Sequence, residues 1–444
     1  MPRLISLQTS KRFIIPKNHI YYGKENGVNT QSNFINLIFK LFCIYLVLPL
    51  YDVPLLGLSL SAPMMLIIAI PSFLKPPKPW FKTYQLWIFL PILIWLSIAI
   101  STTFNGILSL GLKVNLRSFI SVIQYMYWSI VFILTVYMAS SGENLKTISE
   151  LLGWAIGVLA IIRLGEVVLT GNYINYGTAR LLPANAYGML FSMFSPFLYI
   201  MIFKNKGLKR FLALLGTFLL MTAVLVNGSR GSWISIGLGL SFTLLILFFS
   251  KPSKFSGLVI TLIVLSSGLF LIGSLVPSIE NSVKQRFDTL SNLDEDKSAL
   301  IREVMIQKGI RLFKENWLIG IGSERFKQET IELDLPARIS YISQSEFNTN
   351  SSHNSYIQFL AEFGLAGIIP FGLLLLLLLI RGFKASLLAV KVGEITALAI
   401  FVSFIQMSTH MWVISSLTNT TTWLIYGLVA AMIMREQYKG SVCV

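Results

Sequence analysis

The sequence predicts an all-α membrane protein of about twelve transmembrane helices with one large insertion on the outer side. Three observations carry this reading. The chain has 444 residues, of which 54% are hydrophobic and 13% charged, and its mean hydropathy is +0.70; no soluble globular domain needs that much apolar surface. Apolar runs of about 20 residues recur along it, long enough to cross a hydrocarbon core. The runs are continuous, without strict alternation, so they read as helices rather than strands of a closed barrel.

Residues 1–33 are polar and basic, with Arg3, Lys11, Arg12 and Lys17 ahead of any apolar run. They form a cytoplasmic arm and do not resemble a cleaved signal peptide, because the apolar stretch starts late and no small-residue cleavage site follows. Spans one to nine fall in residues 34–276, at 34–51, 53–74, 84–101, 118–139, 149–169, 184–203, 211–227, 232–250 and 256–276. Residues 277–362 form the insertion. Spans ten to twelve occupy 363–434, at 363–380, 394–414 and 418–434, and 435–444 is a second cytoplasmic tail.

Orientation follows from the basic residues, which favour the cytoplasmic side. With the N-terminus inside, the inner connections hold Lys75, Lys78, Lys82, Lys146, Lys204, Lys206, Lys209 and Arg210, and later Lys251, Lys254, Arg381, Lys384, Lys391, Arg435 and Lys439. The short outer connections hold only Lys113, Arg117, Arg180 and Arg230. The formal charge of +16 is spread over many connections, which fits attraction to anionic lipid and excludes a nucleic-acid surface, since no recognition module accompanies it. Cys43 and Cys443 lie in a span and in the tail, so neither a disulfide nor a metal-type Cys/His spacing is expected.

The insertion carries ten basic and thirteen acidic residues and is too long to lack helices of its own. Within it, 297–315 reads as an amphipathic helix that places Leu300, Ile301, Val304, Met305 and Leu312 on one face. Such a helix lies on the membrane surface or caps the bundle. Ser355 and Gln358 have the spacing of a capping box, which starts a helix running through Glu362 into span ten and leaves His353 just ahead of its first turn. Gly320-Ile321-Gly322 lacks the strand and third glycine of a dinucleotide site and reads as a turn. Asp294-Glu295-Asp296 reads as a solvated acidic stretch. Arg163 and Glu166, one turn apart in span five, can pair, with snorkelling as the explanation for their place in a span. His410, in or near span eleven, reads as a packed, hydrogen-bonded residue.

The chemistry-bearing groups gather on the outer side. Arg180 precedes span six. Arg230 sits in Asn227-Gly-Ser-Arg-Gly-Ser-Trp233, a tight hairpin between two spans where glycines let the backbone approach a ligand. Arg286 and Arg302 lie in the insertion with His353. Guanidinium groups hold phosphate by paired hydrogen bonds and stay charged, and several together stabilise a diphosphate as it leaves. A histidine, with an ordinary pKa near ~6.5, is a usable base for an attacking hydroxyl.

These residues resemble a family. Asn227–Trp233 is similar to the Ser-Arg-Gly signature of the O-antigen ligase and polymerase superfamily. Trp317–Gly322 resembles its turn within the catalytic loop, and Ser352–Gly367 resembles its His-Asn…Glu-x-Gly-x-x-Gly segment. The stretch from Arg180 to Asn185 resembles its Arg-containing loop, although Pro183 and Asn185 are separated here by Ala184. The resemblance implies a GT-C type membrane glycosyltransferase with a periplasmic catalytic loop. It implies transfer of a glycan from undecaprenyl diphosphate to a hydroxyl, without a metal or other cofactor and with anomeric inversion. The roles it implies are His353 as base, Arg180, Arg230, Arg286 and Arg302 at the diphosphate, and Asn185, Asn354 and Glu362 in support. The partners implied are the lipid-linked glycan donor, a lipid A-core or glycan acceptor and membrane lipids, at the bacterial inner membrane. A single large outer loop favours a ligase over a polymerase. A polysaccharide or small-solute transporter is the reading of another class, and it expects key polar groups near the bilayer midplane.

The orientation is testable by cysteine labelling. With single cysteines at Glu295 and Gly207, an impermeant reagent labels the first from outside and the second only after permeabilisation; the reverse pattern overturns the topology.

Overall fold

A computed structural model describes residues 30–48, 64, 67–69, 80–108, 116–170, 182–275, 284, 297–332, 351–417 and 419–442. Arg180, Arg286, Asp294–Asp296, Cys443, most of the 53–74 span and nearly all of the N-terminal arm lie outside the described residues. The chain is an all-α membrane protein. Its helices are α1 (Thr30–Val47), α2 (Trp80–Leu108), α3 (Leu116–Ala139), α4 (Gly142–Thr170), α5 (Ala184–Lys204), α6 (Gly207–Asn227), α7 (Arg230–Ser250), α8 (Pro252–Leu275), α9 (Lys297–Glu315), α10 (Ser355–Lys391), α11 (Thr396–His410) and α12 (Thr420–Val442). Among the described residues, eight helices are long and apolar enough to cross a membrane, namely α2 to α8 and α10. The expectation of twelve spans therefore goes further than the described helices do.

Two helices form the centre. In α5 every residue from Tyr187 to Ile202 is buried, and α11 is buried along nearly its whole length. A helix apolar on all sides has no solvent-facing stripe and belongs inside a bundle. Small residues and polar cross-links hold the pair together, as they do where lipid supplies no hydrophobic driving force. Ser195 donates to Gln406 Oε1 at 3.0 Å, Ser403 donates to the Met193 carbonyl, and a Cβ on Gly239 of α7 would run into Gln406. At the edge, α8 keeps Ile260, Ile263, Val264 and Phe270 exposed, as a lipid-facing helix does.

Arg163 corrects the snorkelling expectation. It is 1% exposed, pairs with Glu166 Oε2 at 3.1 Å and lies over the Tyr187 ring at 5.4 Å, while the Tyr187 hydroxyl donates to Glu166 Oε1 at 2.9 Å. The guanidinium turns into the bundle because its counter-charge is there.

The amphipathic helix forms over the expected residues. Val304, Met305 and Leu312 are buried with Leu300 and Ile301 beside them, against Ile321, Phe326 and Ala361. So α9 caps the bundle by packing on α10.

The cap is locked by an exchange of backbone hydrogen bonds. Helix α10 has 37 residues and breaks at Gly364, where φ is 58° and ψ is −156°. The break deprives Leu365 and Ala366 of their ordinary acceptors, the carbonyls of Ala361 and Glu362. All four groups are taken up by one inserted segment. Leu365 and Ala366 donate to the carbonyls of Trp317 and Leu318, both at 2.9 Å, and Ile321 and Gly322 donate to the carbonyls of Ala361 and Glu362 at 3.1 and 2.9 Å. Side chains from α2 and α3 seal the crossing. Ser101 donates to the carbonyls of Ile319 and Glu362, Asn105 donates to the Gly320 carbonyl at 3.0 Å, and Ser118 donates to the Ser323 carbonyl at 2.9 Å.

The expected turn at Gly320–Gly322 is thus present, and its glycines have a reason. Gly320 has φ 69°, and a Cβ there would overlap the Glu362 carbonyl group. A Cβ on Gly364 would sit 2.6 Å from the Gly320 nitrogen. Gly364→Ala therefore combines a left-handed backbone with a backbone clash, and we expect it to cost about 3 kcal/mol or more. Thermal unfolding in detergent checks this: Gly364→Ala melts well below the parent chain, whereas Gly372→Ala, in open space on the same helix, melts near it.

Candidate active site

Four elements converge at one end of the bundle. The first is the α6–α7 hairpin. Helix α6 closes on Gly228 in the left-handed conformation, φ 67°, and α7 begins at Arg230 two residues later. Glycine at that point lets the chain reverse without strain. The hairpin is tied to the start of α5, because Asn227 donates to the Ala184 carbonyl at 2.8 Å and a Cβ on Gly188 would sit 2.7 Å from Ser229 Oγ. Asn185, in the first turn of α5, is thereby held next to the hairpin that carries Arg230.

The second end is the start of α10. The N-cap is Asn354, whose side chain accepts from the backbone N–H groups of Tyr356 and Ile357 at 3.0 and 3.1 Å. This corrects the expected capping box. Ser355 instead donates to the Ile414 carbonyl at 2.6 Å and accepts from Ser416 N at 2.8 Å, and Gln358 donates to Glu362 Oε1 at 3.3 Å. An asparagine one residue earlier satisfies two orphan amides with one side chain and so outcompetes the serine.

His353 stands directly before that cap, half-buried, at φ 51°. A non-glycine residue in that region is strained unless its neighbours hold it. Ser352 supplies the hold: its hydroxyl accepts from the Asn354 N–H at 3.1 Å and donates to the Asn354 carbonyl at 2.7 Å. Burial lowers the His353 pKa below its ordinary 6.5, and the charges of Arg302 and Lys327 lower it further. The imidazole is therefore neutral at pH 7, the form that accepts a proton.

The third end is α11. Its last turn docks on α10, with Ser355 N–H donating to the Met411 carbonyl at 2.9 Å and the Tyr356 hydroxyl donating to the Ser408 carbonyl at 2.8 Å. It also abuts α7: a Cβ on Gly231 would collide with Val413 and lie 3.5 Å from His410 Nε2. The fourth contributor is α9. Its Arg302 is close enough for its charge to act on both His353 and His410.

The structure therefore brings Arg230, Arg302, His353, Asn354 and Asn185 to one junction. Glu362 lies one turn to the side. It is 3% exposed, and the backbone N–H groups of Glu324 and Phe326 bond to it, so it fastens the loop that carries Lys327. Between that loop and α10 is a cavity of about 180 Å³ bordered by Tyr125, Glu324, Lys327, Gln358, Glu362 and Ser415. Hydrogen-bonding groups around an aromatic ring suit a hydroxylated ligand. Lys308, beneath the cap, lies 5.1 Å from the Phe326 ring, and burial pulls its pKa down to about 8.

Sequence reasoning missed His410 as a member of this junction. It is 1% exposed, and neither ring nitrogen has a hydrogen-bond partner among the described residues, which corrects the expectation of a packed, hydrogen-bonded histidine. Nothing local announces it, because a histidine at a span end normally reads as packing.

Residues 215–372 match the family model described as O-antigen ligase. The match runs from within α6 to the early part of α10 and includes Arg230, Arg302, His353, Glu362 and both crossing glycines; His410 lies beyond it. A comparison with curated proteins gives no match.

Proposed function

Residues 215–372 put this multi-pass membrane protein in the O-antigen ligase superfamily, a glycosyltransferase-like class of ligase or polymerase type, and on that premise we propose that it moves a glycan from undecaprenyl diphosphate to a hydroxyl of lipid A-core on the periplasmic face of the bacterial inner membrane. The observation that carries the reading is the meeting of base and cation. Arg302 lies within electrostatic reach of a half-buried, neutral His353, and Arg230 enters the same junction from α7.

In this reaction the acceptor hydroxyl attacks the anomeric carbon while the carbon–oxygen bond to the diphosphate breaks. His353 takes the hydroxyl proton. Arg230 and Arg302, with Arg180 and Arg286 as helpers, hold the lipid diphosphate as it gains charge. A single displacement from the face opposite the leaving group inverts the anomeric centre. No metal is needed for charge neutralisation when guanidinium groups supply it. The polar cavity beside Glu362 is the place for hydroxyls of the acceptor sugar.

Transfer by purified chain in nanodiscs, with lipid-linked glycan and lipid A-core, tests this. Arg230→Ala and Arg302→Ala each slow transfer about tenfold or more, the worth of one charge-assisted phosphate bond. His353→Ala lowers turnover roughly 10²–10⁴-fold and leaves carrier binding nearly intact. His353→Asn tolerates the same backbone conformation but cannot take the proton, so near-normal turnover in that variant overturns the base assignment. Preference for a lipid-linked glycan over lipid A-core as acceptor overturns the ligase half of the proposal.

The pH profile gives a separate check. A base whose pKa is depressed stays active as pH falls through 6.5 and fails only below it. The acid limb of kcat/KM therefore lies below 6.5. Lys327→Gln removes one depressing charge and moves the limb upward, toward the ordinary value.

A further inference from the structure

We propose that His410 is a further donor-side ligand: its imidazole donates a hydrogen bond to an oxygen of the carrier diphosphate, between Arg230 and Arg302. The inference rests on the lipid-diphosphate reading above and adds a residue outside the matched family segment.

A fully buried imidazole with both nitrogens unpaired is costly, and native interiors rarely leave such a group unmatched. The carbonyls around it are already used. Ser408 O accepts from Tyr356, Met411 O accepts from Ser355 N, and His410 O accepts from Val413 N. An apolar ring would fill the end of α11 at lower cost if packing were the whole requirement.

The surroundings specify the partner's charge. Nε2 lies 3.5 Å from where a Cβ on Gly231 would be, at the first turn of α7, and the first turn of α10 is docked on the same end of α11. Helix starts carry partial positive charge. Arg302 acts on His410 from α9. Two helix starts with partial positive charge and the Arg302 guanidinium leave an anion as the fitting ligand, and the imidazole N–H as the group that meets it. Gly231 keeps the approach open, since any larger residue would occupy the space beside Nε2 and collide with Val413.

The test is equilibrium binding of undecaprenyl diphosphate, without glycan, to the full chain in nanodiscs, alongside thermal unfolding. His410→Phe raises Kd about tenfold or more, and its Tm equals or exceeds that of the parent chain, because an unpaired buried polar group has gone. His410→Gln keeps an N–H donor and stays within about threefold of the parent Kd. A parent-like Kd for His410→Phe overturns the proposal, since it means that water alone serves the imidazole. Equal weakening in His410→Phe and His410→Gln also overturns it, since that pattern reports packing. If His410→Phe does not fold, His410→Leu in the same assay decides by the same criterion. Failure of the parent chain to bind the lipid diphosphate would instead strike the donor assignment as a whole, so the two failures are distinguishable.

Discussion

The four backbone hydrogen bonds between Trp317–Gly322 and Ala361–Ala366 are the constraint on which the rest of the site depends. A helix that is broken mid-course exposes N–H and C=O groups, and in a bundle bordering lipid those groups must find partners within the protein. Here the break and the inserted segment satisfy each other, bond for bond. The exchange requires glycine on both sides because the two main chains approach closer than a Cβ allows. It also fixes the direction in which the first turns of α10 leave the bundle. His353, its asparagine cap and the cavity beside Glu362 all hang from those turns, and α9 packs on them from above.

Around that frame, charge and burial divide the labour. Burial first, and then the charges of Arg302 and Lys327, lower the His353 pKa. The arginine deeper in the bundle plays no such part: Arg163 is matched by Glu166 and Tyr187, so its charge is spent on packing α4 against α5.

Much of the fold was legible because its signals are local. Apolar runs of span length, the amphipathic pattern over Lys297–Glu315, and the Gly-Ser-Arg hairpin at 228–230 each arise within a few turns of chain. The helix start near residue 355 was legible too, but its cap was misplaced by one residue: Ser355 fits the local pattern, and only the distant carbonyl of Ile414 and N–H of Ser416 draw its hydroxyl away. The remaining misses have the same cause. The roles of Gly320 and Gly364 appear only once two segments more than forty residues apart are laid together. His410 joins the site because α7, α9 and α10 converge on the end of α11, which no window of sequence displays. Arg163 looked like a snorkelling residue because the aromatic ring and hydroxyl that receive it come from another helix.

The crossing also sets an order of assembly. Ser101 bonds the carbonyl of Glu362 across 261 positions of chain, and the inserted segment emerges from the ribosome before the helix that completes it. Until α10 has been synthesised and laid into the bundle, Trp317–Gly322 has no partner for its main chain and His353 has no cap to stand on. Nascent chains that end between Arg230 and the start of α10 carry the arginine hairpin without the helix on which His353 stands. The junction of Arg230, Arg302 and His353 is thus completed only by the late arrival of a single helix.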